Sequence, residues 1–291
     1  LWGKDTNETE DILKEALGEK KGRDGKQVEV ASIGQAGENL SLLSAIINDK
    51  GRAAGRSGVG AVMGSKKLKA IAVSGTGSVP PFDEEKAQAL RREYMKRSGG
   101  AHDLFAEYGT IGITGESAMS GDSPVKNWGG VGPIDFPSAT KKFHQDTVIA
   151  YQDKKYGCWR CTMACGGHMS VKEEGPYQGV AHHKVEYETA AAWGTMTLMD
   201  KFPPLIKINE LCNKLGFDTI GTGCTAAFAV ECYENGILTK EDTDGLELTW
   251  NNDEALVALL EKMGKREGIG ALLADGSRKA AAAIGKGAEE Y

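Results

Sequence analysis

Hydrophobic and polar positions alternate over residues 27–33, QVEVASI, which predicts a half-buried strand. A second strand is predicted over 70–75, AIAVSG, flanked by Lys67, Lys69 and Gly75. Between them lies a segment rich in glycine and basic residues. Pro80 and Pro81 break the pattern, and the period then becomes helical. Residues 83–99, DEEKAQALRREYMKRSG, begin acidic, end basic and stop at a glycine, which predicts a helix. Residues 120–138, SGDSPVKNWGGVGPIDFPS, read as a long loop rich in glycine and proline. Farther on, Ile208, Leu211, Cys212 and Leu215 fall on one helical face, with Gly216 placed to end the helix. A helix through TAAFAVECYEN ends at Gly236, and Leu256, Leu259, Leu260 and Met263 form another apolar stripe. The change of period near 78–82 divides the chain into residues 1–79, β-containing, and 80–291, mainly helical. The fold class expected is α+β.

Composition narrows the function classes. No apolar run approaches the roughly 20 residues a membrane helix needs. The 35 cations and 41 acids leave a net charge of −6, which argues against a nucleic-acid partner, because phosphate binding wants a basic face. The chain does not begin with methionine, and Leu1-Trp2-Gly3 reads like an interior segment, so a piece of a longer protein is expected. Six cysteines in 291 residues are too dilute for a disulfide scaffold, and a tight triplet among them points to metal.

That triplet is Cys158, Cys161 and Cys165 in YGCWRCTMACGGHM. C-x2-C brings two sulfurs to one site through a tight turn, and C-x3-C adds a third about one helical turn later. The spacing favours an iron–sulfur cluster with a remote fourth ligand over zinc, for which His168 is the candidate fourth ligand. A second stretch, GRAAGRSGVGAVMGSKKLKA (51–70), combines glycines, which let backbone approach a ligand closely, with Arg52 and Arg56, which can hold phosphate in bidentate fashion. It lacks the order of a Walker loop, and a solvated basic turn is the alternative. In HHKVEYETAAAWG, Glu186 and Glu188 stand among aromatic and small residues after His182 and His183, a setting in which a carboxylate can move protons. In NKLGFDTIGTG, Asp218 follows the helix stop at Gly216. It suits either a heterocycle's N–H groups or, more simply, the cap of the next helix. Cys212 and Cys232 lie on apolar helical faces and read as small buried hydrophobes.

Taken together, LWGKDTNET, IGQAGEN, GRAAGRSGVGAVMGSKKLKAIAV, CWRCTMAC, EYET, LCNKLGFDTI and ECYENGIL resemble the aldehyde ferredoxin oxidoreductase family along essentially the whole chain. The resemblance implies tungsten held by two pyranopterins, with molybdenum as the alternative metal, magnesium as a candidate bridge between the pterins, and a nearby [4Fe–4S] cluster. Cys158, Cys161 and Cys165 match three clustered cluster ligands, the fourth being expected outside this chain. Arg52, Ala53, Gly55 and Arg56 match the family's R-A-x-G-R segment. Asn213, Phe217 and Asp218 match its D-x-x-G-L-D pterin motif, with Asn213 and Phe217 as departures from Asp and Leu. One glutamate of EYET resembles the acidic residue beside the metal, with His183 or His182 assisting; spacing does not distinguish Glu186 from Glu188. The resemblance further implies aldehyde oxidation to carboxylic acids, electron transfer to ferredoxin, a cytoplasmic anaerobic setting and a candidate homodimer. A benzoyl-CoA-reductase-like member and a stand-alone iron–sulfur module are the competing readings.

Overall fold

In a computed structural model, the described residues are 1–17, 28–75, 77, 79–96, 100–158 and 161–291. The first predicted strand is present as β1, Val28–Ser32, in which Val28, Val30 and Ser32 are buried and Glu29 is exposed. Gln27 lies outside the described residues. β1 is the second-last strand of a four-stranded antiparallel sheet, with order β3-β2-β1-β4. The others are β2 (Ile46–Asn48), β3 (Arg52–Ala54) and β4 (Ala70–Ser74), the second predicted strand. The predicted helix after the two prolines spans Glu84–Met95, starting where the Asp83 side chain accepts the Lys86 N–H at 2.9 Å. Its expected end at 97–99 lies outside the described residues.

The helix Phe202–Leu215 starts on Pro203 and Pro204, whose missing N–H groups cost nothing in a first turn, and ends at Gly216 with φ 76°. The Phe217 N–H returns to the Cys212 carbonyl at 2.8 Å. Leu205, Ile208 and Cys212 are fully buried, and complete burial of a Leu or Ile side chain stabilises by roughly 1.5–3 kcal/mol. The helix Thr219–Glu234 follows, and Gly236 has φ 70°. Leu256, Leu259, Leu260 and Met263 enter the core from Asp253–Lys265. Cys212 and Cys232 are buried, as their apolar faces predict. A second antiparallel sheet, β5 (Gln152–Tyr156), β6 (Gly166–Ser170) and β7 (Ala181–His183), brackets the cysteine segment.

The N-terminal sheet region is stitched to the helices by backbone. The Ala45 N–H donates to the Gly216 carbonyl and the Asp218 N–H to the Leu43 carbonyl, both at 2.8 Å. A Cβ on Gly34 would lie 2.2 Å from the Leu215 carbonyl oxygen, so only glycine allows this approach. The loop after β3 is thereby set against the start of the helix at Thr219.

Candidate active site

Arg52 leaves β3 toward β5 and the cysteine segment. Its Nη2 donates to the Tyr156 hydroxyl at 2.5 Å, and its Nη1 lies 3.7 Å from Glu186 Oε1. Burial opposes the guanidinium charge, but Tyr156, Cys158, Glu186 and Cys165 outweigh it and raise the pKa above its ordinary value. The Tyr156 hydroxyl is 2.6 Å from His183 Nδ1. Since it accepts from Arg52, its own proton points to the imidazole, and Nδ1 accepts. Burial, and then repulsion from His168, lowers the His183 pKa to about 4, so the ring is neutral near pH 7. Burial raises the Tyr156 phenol to about 12, partly opposed by Arg52.

The two glutamates occupy different surroundings. Glu186 precedes the short helix Tyr187–Ala190, and the Thr110 hydroxyl donates to its Oε2 while accepting the Tyr187 N–H at 2.9 Å. Glu186 is therefore tied on both oxygens, to Thr110 and toward Arg52. Glu188 lies in the first turn of that helix, and its nearest cation is Arg56, with Nη2 3.9 Å from Oε2.

Asp218 takes the capping role that its position offers. Its Oδ2 accepts the Gly221 N–H at 2.7 Å and caps the helix at Thr219. Its Oδ1 faces Gly55, whose Cβ would come within 3.1 Å. Asn213 turns its amide back into its own helix, Nδ2 donating to the Asn209 carbonyl at 2.7 Å, while Asn209 Nδ2 donates to the His183 carbonyl at 2.9 Å. Phe217 is buried and contributes a wall.

These residues surround a cavity of about 640 Å³, lined by the run from Gly51 to Arg56 together with Tyr156, His183, Glu186 and Asp218. A second cavity of about 510 Å³ shares Arg56, Glu188, Asp218 and Ile220 with it. Two arginines, open glycine backbone and a carboxylate oxygen free of the helix cap form a donor set that fits an anionic, N–H-bearing heterocyclic cofactor.

Cys158 and Cys161 are exposed and Cys165 is half-buried; all three are free thiols. The Cys161 N–H donates to the Cys158 carbonyl at 2.9 Å, which holds these two cysteines' backbones together. A Cβ on Gly166 would lie 2.7 Å from Arg52 Nη2, so the end of the thiol segment lies against the cavity's arginine. Trp159 and Arg160, inside CWRCTMAC, lie outside the described residues. Among the described residues, no three His, Cys, Asp or Glu side chains gather into a metal-binding group. The thiols fit a soft metal by donor chemistry and spacing alone.

Sequence reasoning did not pick out Thr110, Tyr156 or Asn209. Tyr156 stands two residues before Cys158, a position that could have marked it. Thr110 follows Gly109, whose φ of 74° re-aims the chain, but its contact with Glu186 spans 76 residues.

Fold and site together define an α+β scaffold around a cavity that presents two arginines and a carboxylate. Family models for aldehyde ferredoxin oxidoreductase match residues 1–75, as the N-terminal domain, and 85–291, as domains 2 and 3. The chain belongs to the aldehyde ferredoxin oxidoreductase family. It is 38% identical to the tungsten-containing aldehyde ferredoxin oxidoreductase of Pyrococcus furiosus, covering 98% of this chain and 46% of that protein. The Thermococcus kodakarensis enzyme of the same name is 37% identical over the same shares. An aliphatic sulfonate oxidoreductase, WOR-like subunit, of Pyrococcus furiosus is 36% identical over 89% of this chain and 41% of its own length. Among solved structures, the active-site complex BamBC of benzoyl coenzyme A reductase with 1,5-dienoyl-CoA superimposes with a TM-score of 0.78 at 26% identity, covering 99% of this chain and 44% of that one. The chain thus spans about half the length of the relatives it matches. Among the described residues, no helix is long and apolar enough to cross a membrane.

Proposed function

We propose that the chain forms one side of the active site of a tungsten–pterin enzyme that oxidises aldehydes to carboxylic acids and passes electrons through a [4Fe–4S] cluster to ferredoxin. The observation that carries this reading is the shared lining of the two cavities. Arg52, Gly55, Arg56 and Asp218 face one, and Glu188 stands at its junction with the other.

In this reading Arg52 and Arg56 hold phosphate oxygens, Asp218 Oδ1 accepts N–H bonds from the pterin, and the backbone of 53–55 allows the ring to come close. When bound, the metallo-pterin supplies the two-electron redox chemistry of the overall change: aldehyde plus water gives carboxylic acid, two protons and two electrons. Glu188 receives a proton from the water that adds to the carbonyl, since it reaches both cavities and is held only loosely by Arg56. Glu186 acts as a positioning residue, fixed by Thr110 and orienting Arg52. Neutral His183, through Tyr156, fixes the other side of that guanidinium. Cys158, Cys161 and Cys165 are the cluster ligands this chain provides.

The aldehyde reading is preferred to ring reduction because the aldehyde-named relatives are 37–38% identical, against 26% for the benzoyl-CoA reductase complex. The matches to both family models argue against a stand-alone cluster module. The test is Glu188→Gln beside Glu186→Gln in the full-length protein, with aldehyde oxidation assayed by reduction of a viologen dye. Glu188→Gln is expected to lower kcat by roughly 10²–10⁴-fold and to keep its tungsten. A Glu188→Gln enzyme of wild-type rate would contradict the assignment.

A further inference from the structure

The segment 120–138, singled out as a loop, contains a feature that cofactor binding does not use. Lys126, Asn127 and Trp128 are consecutive non-glycine residues with φ of 49°, 46° and 71°, a left-handed run that L-residues adopt only when their surroundings impose it. The run is pinned in place. The N–H groups of Lys126 and Asn127 donate to the carbonyls of Thr195 and Met196 at 3.1 and 3.0 Å, and Asn127 Nδ2 donates to Glu231 Oε2 at 2.5 Å. The Gly129 N–H closes the turn on the Lys126 carbonyl at 2.9 Å. The product of this strained turn is an indole left 72% exposed at the second cavity.

That cavity is walled by Leu42, Leu43, Pro124 and Met196 as well as Trp128. Among the described residues that line it, Arg56 is the one cation, and it stands at the junction near Glu188, while Asp122 adds a carboxylate. A chamber with an apolar wall and an aromatic face, whose charged lining besides Arg56 is the carboxylates Asp122, Glu188 and Asp218, suits an uncharged, flat substrate body. It disfavours a phosphorylated or acidic tail, whose charge would be desolvated without a partner. A small aliphatic aldehyde would leave the indole without a contact.

We propose that Trp128 is a specificity-determining residue, and that this cavity takes aldehydes with an uncharged aromatic body, whose ring stacks on the indole. The proposal rests on the function argued above and names the substrate class of that site.

The test uses the full-length holoenzyme and its Trp128→Ala and Trp128→Phe variants. Two readouts are measured: kcat/KM for benzaldehyde and for acetaldehyde, and the Kd of benzoate by calorimetry without turnover. Trp128→Ala is expected to lower kcat/KM for benzaldehyde about tenfold, mainly through KM, and to weaken benzoate about tenfold, with acetaldehyde changed by less than about twofold. Trp128→Phe is expected to restore most of both losses. An equal change for the two aldehydes, or unaltered benzoate binding in Trp128→Ala, would overturn the proposal. A wild-type enzyme that contains tungsten and oxidises neither aldehyde would contradict the function itself; benzoate binding would then still judge the role of Trp128.

Discussion

Glu186 and Glu188 are two positions apart and chemically identical, yet their surroundings differ. The difference arises from Thr110, which occupies one oxygen of Glu186, and from Arg52, which leans on the other. Asp218 presents a similar contrast within one side chain, one oxygen capping a helix and the other facing Gly55 in the larger cavity. The two uses are separable by experiment. Asp218→Ser keeps a good capping residue, so its thermal midpoint should fall only slightly, whereas loss of the cap in Asp218→Ala costs about 1 kcal/mol. Both variants should lose tungsten–pterin content, measured by metal analysis; full tungsten in Asp218→Ser would confine Asp218 to capping. His182 makes a prediction about pH. It is buried, neither ring nitrogen has a hydrogen-bond partner, and burial, then the neighbouring His183, lowers its pKa to about 3. The unfolded chain binds a proton near pH 6.5 that the folded chain refuses, so the folded state loses stability as pH falls below that value. The loss attributable to His182 between pH 6.5 and pH 5 is roughly 1.5 kcal/mol. His182→Phe should show a correspondingly flatter decline, read by denaturant unfolding of the full-length protein at both pH values; an unchanged slope would mean that His182 is not held neutral.

At the scale of elements, the site depends on how closely the N-terminal loops approach the helix end at Leu215–Gly216. Gly34 and Gly216 meet backbone to backbone, and a Cβ on Gly216 would lie 2.5 Å from the Gly34 nitrogen. Gly34→Ala is therefore expected to destabilise by roughly 1–3 kcal/mol, measured by the denaturation midpoint. It should also reduce cofactor content, because Arg52, Gly55 and Asp218 would no longer be held in register. β1 and the helix Phe202–Leu215 were legible in the sequence because each shows a clear period and, for the helix, a glycine stop. The cysteine spacing, the arginine–glycine loop and the helix cap at Asp218 stand out in the sequence because each is a local pattern. Thr110 and Tyr156 were not legible, since they act through contacts with residues far along the chain. The left-handed turn at Lys126–Trp128 was not either, because none of its three residues is a glycine that would signal it.

At the scale of the whole molecule, this chain lines one pair of adjoining cavities with the arginines, Asp218 and the two glutamates, and carries three thiols on the segment beside Arg52, within about half the length of its relatives. On the proposed function, those groups serve a tungsten–pterin centre and an iron–sulfur cluster. Metal analysis with EPR on the full-length protein, purified without oxygen, tests it most directly. Tungsten (or molybdenum) together with about four irons per chain, and a reduced-cluster signal that disappears in Cys161→Ala, are expected. Zinc alone, or iron without tungsten or molybdenum, would contradict it.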